Sequence, residues 1–146
     1  MTPGTLVLLG SGLLADALRT YGLHVVIPHP SEAPDTGPRY IAGACLAIGA
    51  AAPVPPLVLI AHGDCGPLLP AIASAQRAAH RSVGAYVFVD TDLPTPAGDW
   101  PDAPCGYAST TPGDPRIRAA ELRAWTTAEA KPDDLARTLR SLIADL

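Results

Sequence analysis

The stretch "PPLVLIAHGDCGPLLPAIASAQRAA", residues 55–79, decides the fold of this chain. It contains a continuous apolar run at 56–61, which is typical of a strand buried on both faces. The glycine-containing turn His62-Gly63-Asp64-Cys65-Gly66 follows this run, and a Pro- and Leu-rich helical segment begins after the turn. We therefore predict a buried strand, a tight turn and a helix in direct succession.

The same alternation extends along the rest of the chain. Four further strands are predicted at 5–10, 23–28, 84–90 and 104–110, and residues 124–130 could form a short last strand. Helical segments are predicted at 13–22, 39–51, 67–81, 114–125 and 131–146. This order predicts a single doubly wound α/β domain over residues 1–146, with a mostly parallel twisted sheet of about five or six strands between two helical layers.

Composition limits the classes of function and partner. The hydrophobic fraction is 48% but the aromatic fraction only 5%, so the core must consist mainly of Ala, Val, Leu and Ile. The net charge is −4 and no basic stripe is present, which argues against a nucleic-acid partner. No apolar run reaches the roughly 18 residues of a membrane helix. The N-terminus lacks the basic start of a signal peptide, so we expect a cytoplasmic protein without membrane contact.

The motifs of common cofactor and metal sites are missing from the sequence. Three cysteines at 45, 65 and 105 are too widely spaced for a zinc site, and we expect three reduced, mostly buried thiols. The Gly-x-Gly at 10–12 has no third glycine in register, and there is no Walker A or His-Glu-x-x-His pattern. We therefore expect neither a cofactor nor a metal.

Three segments in order carry a family resemblance: "LVLIAHGDCGPLLPAIA", "AYVFVDTDLP" and "WPDAPCGY". Together they resemble small bacterial α/β-hydrolase-fold proteins, in which a strand runs into a Gly-His-Ser-x-x-Gly turn and a Pro-Leu-rich helix. The resemblance covers about residues 5–145. It implies that the turn at 62–66 corresponds to the nucleophile elbow, the turn that holds the catalytic serine in that family.

The chain departs from that family where the catalytic residues are expected. The resemblance places Gly63 at the serine position, and glycine has no group that could form an acyl-enzyme. The late histidine of the triad is missing as well, because no histidine follows His80. Asp114 lies near the usual position of the triad acid, but it has no histidine to orient and is also predicted to cap the following helix.

Three neighbouring residues of the turn are the candidate catalytic groups. His62, Asp64 and Cys65 could act as acid, base or polarising groups, and the positive end of the following helix could lower the pKa of the Cys65 thiol. Each residue also has a structural interpretation. Cys65 could be a packing residue, Asp64 a helix cap, and His62 a structural histidine.

The ligand-binding candidates lie at predicted strand ends. The family resemblance implies that Gly10, Ser11 and Gly12 present backbone N–H groups after the first strand. Gly63 suits a positive φ angle. Asp90 ends a predicted strand at the carboxyl edge of the sheet, where open α/β folds bind ligands, although it could also cap a turn.

A missing lid predicts an exposed apolar rim. Family members insert helices at a position where this chain has only the connection 91–104. We expect the lid to be absent and Leu68, Leu93, Trp100 and Tyr107 to lie on the open rim, where Trp100 and Tyr107 would contact ligand. Exposed apolar patches of that kind are usually covered by a second copy, so we expect a homodimer.

Three functions remain open at this point. The first is a non-hydrolytic enzyme that binds a small organic molecule and performs a cyclase, lyase or isomerase step of specialised metabolism. The second is an inactive pseudo-hydrolase that binds a ligand or partner protein. The third is a hydrolase or thioesterase that uses Cys65 or Asp64.

Overall fold

The computed structural model describes residues 1–10, 12–28 and 37–146. These residues form one six-stranded, all-parallel sheet with the strand order β2-β1-β3-β4-β5-β6. The strands are β1 Thr5–Leu9, β2 Val25–Val26, β3 Leu57–His62, β4 Val83–Val89, β5 Cys105–Ser109 and β6 Thr126–Glu129. The predicted fold class is confirmed, including the last strand.

Five helices of the described chain cover the two faces of the sheet. They are α1 Gly12–Arg19, α2 Pro38–Ala50, α3 Leu69–Ala78, α4 Pro115–Leu122 and α5 Leu135–Asp145. One core contains residues of α2, α3 and α4, and the other contains residues of α1 and α5. Right-handed crossovers require α1 to lie on the face opposite to α2, α3 and α4, because the chain moves along the sheet in opposite directions before and after β2.

Buried aliphatic side chains explain the central strands. All five residues of β1 are buried, and in β3 only the last residue, His62, is partly exposed. Alternate side chains of β3 enter opposite cores, so Leu59 packs on the α3 side and Ile60 on the α5 side. The continuous apolar pattern of the sequence thus corresponds to strands that are covered on both faces.

The second strand is shorter than predicted. The apolar run at 23–28 predicted about six residues of strand, but only Val25 and Val26 are paired with β1. The run follows Gly22, whose φ angle is +77°, and ends at Pro28, which has no N–H to donate. At the edge of the sheet, the strand also has only one neighbour to pair with.

The helix after the β3 turn also begins later than predicted. Residues Gly63–Leu68 form a 3₁₀ segment, and the α-helix starts at Leu69. Pro67 and Pro70 lack N–H groups, which suits the start of a helix but not its interior. The chain therefore turns tightly before it enters α3.

The connection between β4 and β5, residues 90–104, contains no helix. Trp100 occupies the space where a crossover helix would pack, and only 3% of its surface is exposed. Its ring lies edge-on to Phe88 and Trp125, with centroid distances of 6.1 and 6.3 Å. Arg123 Nη1 donates a hydrogen bond of 2.7 Å to the Pro94 carbonyl, which ties the loop to the chain beyond α4.

The C-terminal elements follow their sequence signals. Asp114 caps α4 by accepting a hydrogen bond of 2.9 Å from the Arg116 amide, as predicted. Helix α5 buries one face on the sheet, formed by Leu135, Leu139, Leu142 and Ile143. No helix in the described part of the chain is both long enough and apolar enough to cross a bilayer.

Candidate functional site

Strand order locates the cleft of the sheet. Strands β2 and β3 lie on either side of β1, so the connections that leave the carboxyl ends of β1 and β3 pass over opposite faces. Open α/β sheets bind ligands at this switch point. Gly10 and Gly12 follow β1 here, while Ser11 lies outside the described residues.

The ends of β1 and β3 approach each other closely. Gly10 has a φ angle of +130°, and a Cβ atom there would lie 2.9 Å from the His62 carbonyl oxygen. A side chain at position 10 would therefore push the two strand ends apart. Gly12 has no such requirement, because a Cβ atom there would contact nothing within 4 Å.

The β3 turn, residues 62–66, has the backbone that its glycines predict. Gly63 has a φ angle of +68°, and the space around its missing Cβ is open. Gly66 is needed for a different reason, because a Cβ atom there would lie 2.2 Å from the Asp92 carbonyl oxygen. The Gly66 amide donates a hydrogen bond of 3.0 Å to Thr91 Oγ1, which fixes the turn to the end of β4.

His62 lines a concave site between α1 and the segment that leads into α5. The cavity has a volume of about 220 Å³ and is lined by Leu13, Leu14, Ala17, His62, Pro132, Asp133, Leu135 and Ala136. Burial lowers the pKa of His62 below its ordinary value, and the Asp90 carboxylate only partly opposes that shift. The imidazole is therefore mostly neutral at pH 7, and one of its ring nitrogens can accept a proton.

Cys65 has the environment of a packing residue. Its side chain is fully buried, and its thiol donates to the Tyr40 hydroxyl over 3.8 Å. Burial raises the pKa of Cys65, the hydrogen bond with Tyr40 opposes the rise, and the charge of Asp64 adds to it. The expected lowering of the thiol pKa is wrong, because desolvation outweighs the electrostatic effect of the turn.

Asp64 is the exposed carboxylate of the turn. It lines a second cavity of about 220 Å³, on the other side of the turn, with Gly63, Pro67, Thr91 and Asp92. Its carboxylate makes no hydrogen bond to any described residue, so it does not serve as a helix cap. The turn therefore presents His62 to one cavity and Asp64 to another.

Asp90 connects the ends of two neighbouring strands. Its carboxylate accepts hydrogen bonds from the Thr110 amide at 2.8 Å, the Thr110 hydroxyl at 2.6 Å and the Ser109 hydroxyl at 3.3 Å. Its own φ angle is +47°, which is uncommon for a residue with a side chain. Sequence reasoning missed Thr110, because its contact with Asp90 depends on the pairing of β4 with β5.

The expected apolar rim is wrong. Leu68, Trp100 and Tyr107 are buried in the core on the α3 side, and Leu93 packs partly against the same core. Tyr107 lies in the middle of β5 with no exposed surface, and Trp100 is held by its aromatic neighbours. The connection between β4 and β5 folds back onto the sheet, so it covers these side chains itself.

A buried hydrogen-bond network surrounds Asp114. Its carboxylate accepts from the Tyr107 hydroxyl at 2.8 Å and from the Ser109 hydroxyl at 2.7 Å. Arg116 Nε donates to the same carboxylate at 3.0 Å. These bonds hold the end of β5 against the start of α4, and they leave Asp114 little freedom for a ligand.

Comparison of the chain with known proteins assigns it to no family. No protein-family model matches the chain, and no curated protein matches its sequence. No group of three His, Cys, Asp or Glu side chains within residues 1–10, 12–28 and 37–146 is arranged to hold a metal ion. A function can therefore be inferred only from the geometry of the site.

Proposed function

We propose that the carboxyl edge of the sheet binds a small organic molecule and that His62 transfers a proton to or from it. The observation that carries this proposal is a titratable imidazole in a concave, mostly apolar cavity. Enzyme sites combine these two features, because catalysis needs both a positioned group and partial exclusion of water. The reaction class is a non-hydrolytic step, such as a cyclisation, elimination or isomerisation.

Proton transfer by His62 needs no covalent intermediate between the protein and the reacting molecule. Neutral His62 would accept a proton from a hydroxyl or from an acidic C–H group and return it at another atom. Gly63 has no side chain, so the backbone of the turn stays open on the side of the Asp64 cavity. Asp64 would act as a polarising group from the neighbouring cavity.

Support for an α/β-hydrolase-like origin is limited to the fold and the turn. The parallel sheet and the strand–turn–helix with positive φ at Gly63 agree with that origin. A hydrolase or thioesterase mechanism has weaker support, because the Cys65 thiol is buried and protonated at neutral pH.

A ligand-binding protein without catalysis is the second candidate. One observation favours it: the carboxylates of Asp90 and Asp114 are already occupied by structural hydrogen bonds. Cys65 is buried as well, so His62 and Asp64 remain for chemistry among the described candidate residues. The two candidates differ in whether removal of the imidazole changes a rate or only an affinity.

We expect His62→Gln to lower the rate of the catalysed step by roughly 10²- to 10⁴-fold, the usual contribution of a general acid or base. Glutamine keeps polarity and approximate size but cannot exchange a proton near neutral pH. The rate is measured by turnover of any substrate that a metabolite screen finds. His24→Gln is the control, because His24 is exposed and contacts Thr5 near the opposite edge of the sheet. An unchanged rate in a folded His62→Gln protein would remove His62 from the mechanism.

The pH dependence of this activity has a defined sign. Because burial lowers the pKa of His62, the neutral form persists below the ordinary value of about 6.5. Base catalysis should therefore be retained as the pH falls past 6.5 and should be lost only at lower pH. An NMR titration of the imidazole carbon-bound protons measures this directly, and a midpoint above 6.5 would contradict the burial argument.

Gly63→Ser is expected not to create an esterase. The chain has no histidine after position 80 that could activate a serine, and Cβ strain at positive φ should cost about 1–2 kcal/mol of stability. Hydrolysis of p-nitrophenyl acetate and labelling by a fluorophosphonate probe test this. Both should stay at background in the native protein and in the variant, and strong labelling of either would show a competent serine.

We also propose a homodimer that forms through the exposed face of α1, beside the His62 cavity. Its support is Leu13, which borders the cavity and is 82% exposed. Light scattering at micromolar concentration should give about twice the chain mass of 15.0 kDa. Leu13→Gln should shift the protein toward monomer, whereas Leu122→Gln, at another exposed leucine, should not. A monomeric native protein would contradict the proposal.

A further inference from the structure

The geometry points to a specific charge class for the ligand of the His62 cavity: a small molecule with an apolar body and an uncharged or cationic polar group. Carboxylates and phosphates are disfavoured. This inference rests on the proposed function and extends it to substrate class. The size, the lining and the charge of the cavity all favour this class of ligand.

The cavity is small and opens to solvent at its mouth. About 220 Å³ corresponds to roughly seven water molecules, at about 30 Å³ for each in the liquid. A ring of six carbons with one polar substituent fills such a space. Larger ligands, such as nucleotides or long acyl chains, would project out of the cavity.

The lining is apolar except at two points. Most of the wall is hydrophobic and comes from α1 and the start of α5, namely Leu13, Leu14, Ala17, Pro132, Leu135 and Ala136. The polar side chains of the lining are His62 and Asp133. A ligand would therefore place its apolar body against the leucines and its polar group toward the imidazole.

The charge around this cavity is negative. Asp133 is the charged residue of the lining, and His62 is mostly neutral. Asp90 also lies close enough to influence the imidazole electrostatically. An anionic group bound beside these carboxylates would be repelled, while a cation would be attracted.

Among the described residues, no cationic side chain belongs to the lining, and Arg137, which follows Ala136 along the chain, pairs with Asp134 at 2.8 Å. Arg116 pairs with Asp114 at 3.0 Å and with Asp92 at 3.6 Å. Lys131 lines a different cavity, of about 380 Å³, between the ends of β5 and β6. The two cavities share only Pro132 in their linings, so the Lys131 ammonium lies outside the lining of the His62 cavity.

Three probes of one shape and different charge test the inference: cyclohexylmethanol, cyclohexylmethylamine and cyclohexanecarboxylate. Each is titrated into the full chain at pH 7.5, and the NMR signals of the His62 imidazole report binding. We expect the alcohol and the amine to shift these signals, and the carboxylate to bind at least about tenfold more weakly.

A variant pair assigns the charge selectivity to a residue. Asp133→Asn should weaken binding of the amine about three- to tenfold and leave binding of the alcohol unchanged. Asp145→Asn is the matched control, because Asp145 is an exposed carboxylate at the far end of α5. The Asp145→Asn protein should bind the amine as tightly as the native protein does.

The outcomes separate this inference from the proposed function. If the carboxylate shifts His62 as strongly as the amine does, the charge class is wrong and the cavity remains a ligand site. An Asp133→Asn protein that binds the amine normally would also overturn the inference. If none of the probes shifts His62 in the folded protein, the cavity does not bind such molecules and the proposed function fails with the inference.

Discussion

Asp114→Ala is expected to lower the free energy of unfolding by about 3–5 kcal/mol, the usual cost of removing one partner from a buried charged network. The carboxylate is almost fully buried and accepts hydrogen bonds from Tyr107, Ser109 and Arg116. Alanine leaves the two hydroxyls and the guanidinium without this acceptor and removes the cap of α4. Urea unfolding at pH 7 measures the effect.

The same network predicts a dependence on pH. Burial alone would raise the pKa of Asp114, but hydrogen bonds from Arg116, Ser109 and Tyr107 outweigh burial and hold the pKa well below its ordinary value. The stability that comes from this shift is fully present above the unfolded-state pKa of about 3.9 and is lost as the pH falls below it. The difference between native protein and variant should therefore be smaller at pH 3 than at pH 7.

Asp16→Ala is the control for that experiment. Asp16 pairs with Arg19 at 3.1 Å on the exposed face of α1, and such pairs contribute only about 0–1 kcal/mol. Its loss should change the unfolding midpoint little at either pH. If Asp114→Ala unfolds no more easily than Asp16→Ala, the buried network does not hold the end of β5.

Trp100→Ala should be the second large effect, with a loss of about 3–5 kcal/mol. The indole fills the place of a crossover helix and packs against Tyr86, Phe88 and Trp125, with ring centroids 5.5–6.3 Å away. Alanine would leave a cavity that the short loop 90–104 cannot close, since that loop contains no helix that could shift inward. Thermal and urea unfolding both report the loss.

Trp100→Phe separates packing from hydrogen bonding. The Trp100 Nε1–H group is buried and has no acceptor among the described residues, so phenylalanine loses volume but no hydrogen bond. Its cost should be clearly smaller than that of alanine. Equal losses in the two variants would mean that the indole nitrogen has a hydrogen-bond partner, such as an ordered water.

The fold was largely predictable from local patterns. Continuous apolar runs over β1, β3 and β4 indicated strands buried on both faces, and their alternation with helices indicated a parallel sheet. Boundaries were less predictable. The length of β2 depends on pairing with β1, and the start of α3 depends on how the turn packs under β4, so neither is encoded by apolar periodicity alone.

The candidate site was only partly predictable. Glycine at 63 indicated a positive φ angle, and the position of His62 at the end of a strand indicated the carboxyl edge. Sequence could not show that Cys65 is desolvated, because its burial comes from α2, where Tyr40 contacts the thiol. It also could not show that Tyr107 and Trp100 are covered by the chain itself.

By itself, the sequence determined the α/β class, the tight turn after β3 and the absence of a serine and late histidine. These properties depend on residue type and on neighbours close along the chain. Tertiary structure alone decided that His62 faces a cavity, that Cys65 packs inside, and that Asp90 and Asp114 are bound by β5 side chains. Side-chain burial and long-range hydrogen bonds decide what such groups can do, and they exist only after distant segments of the chain have packed together.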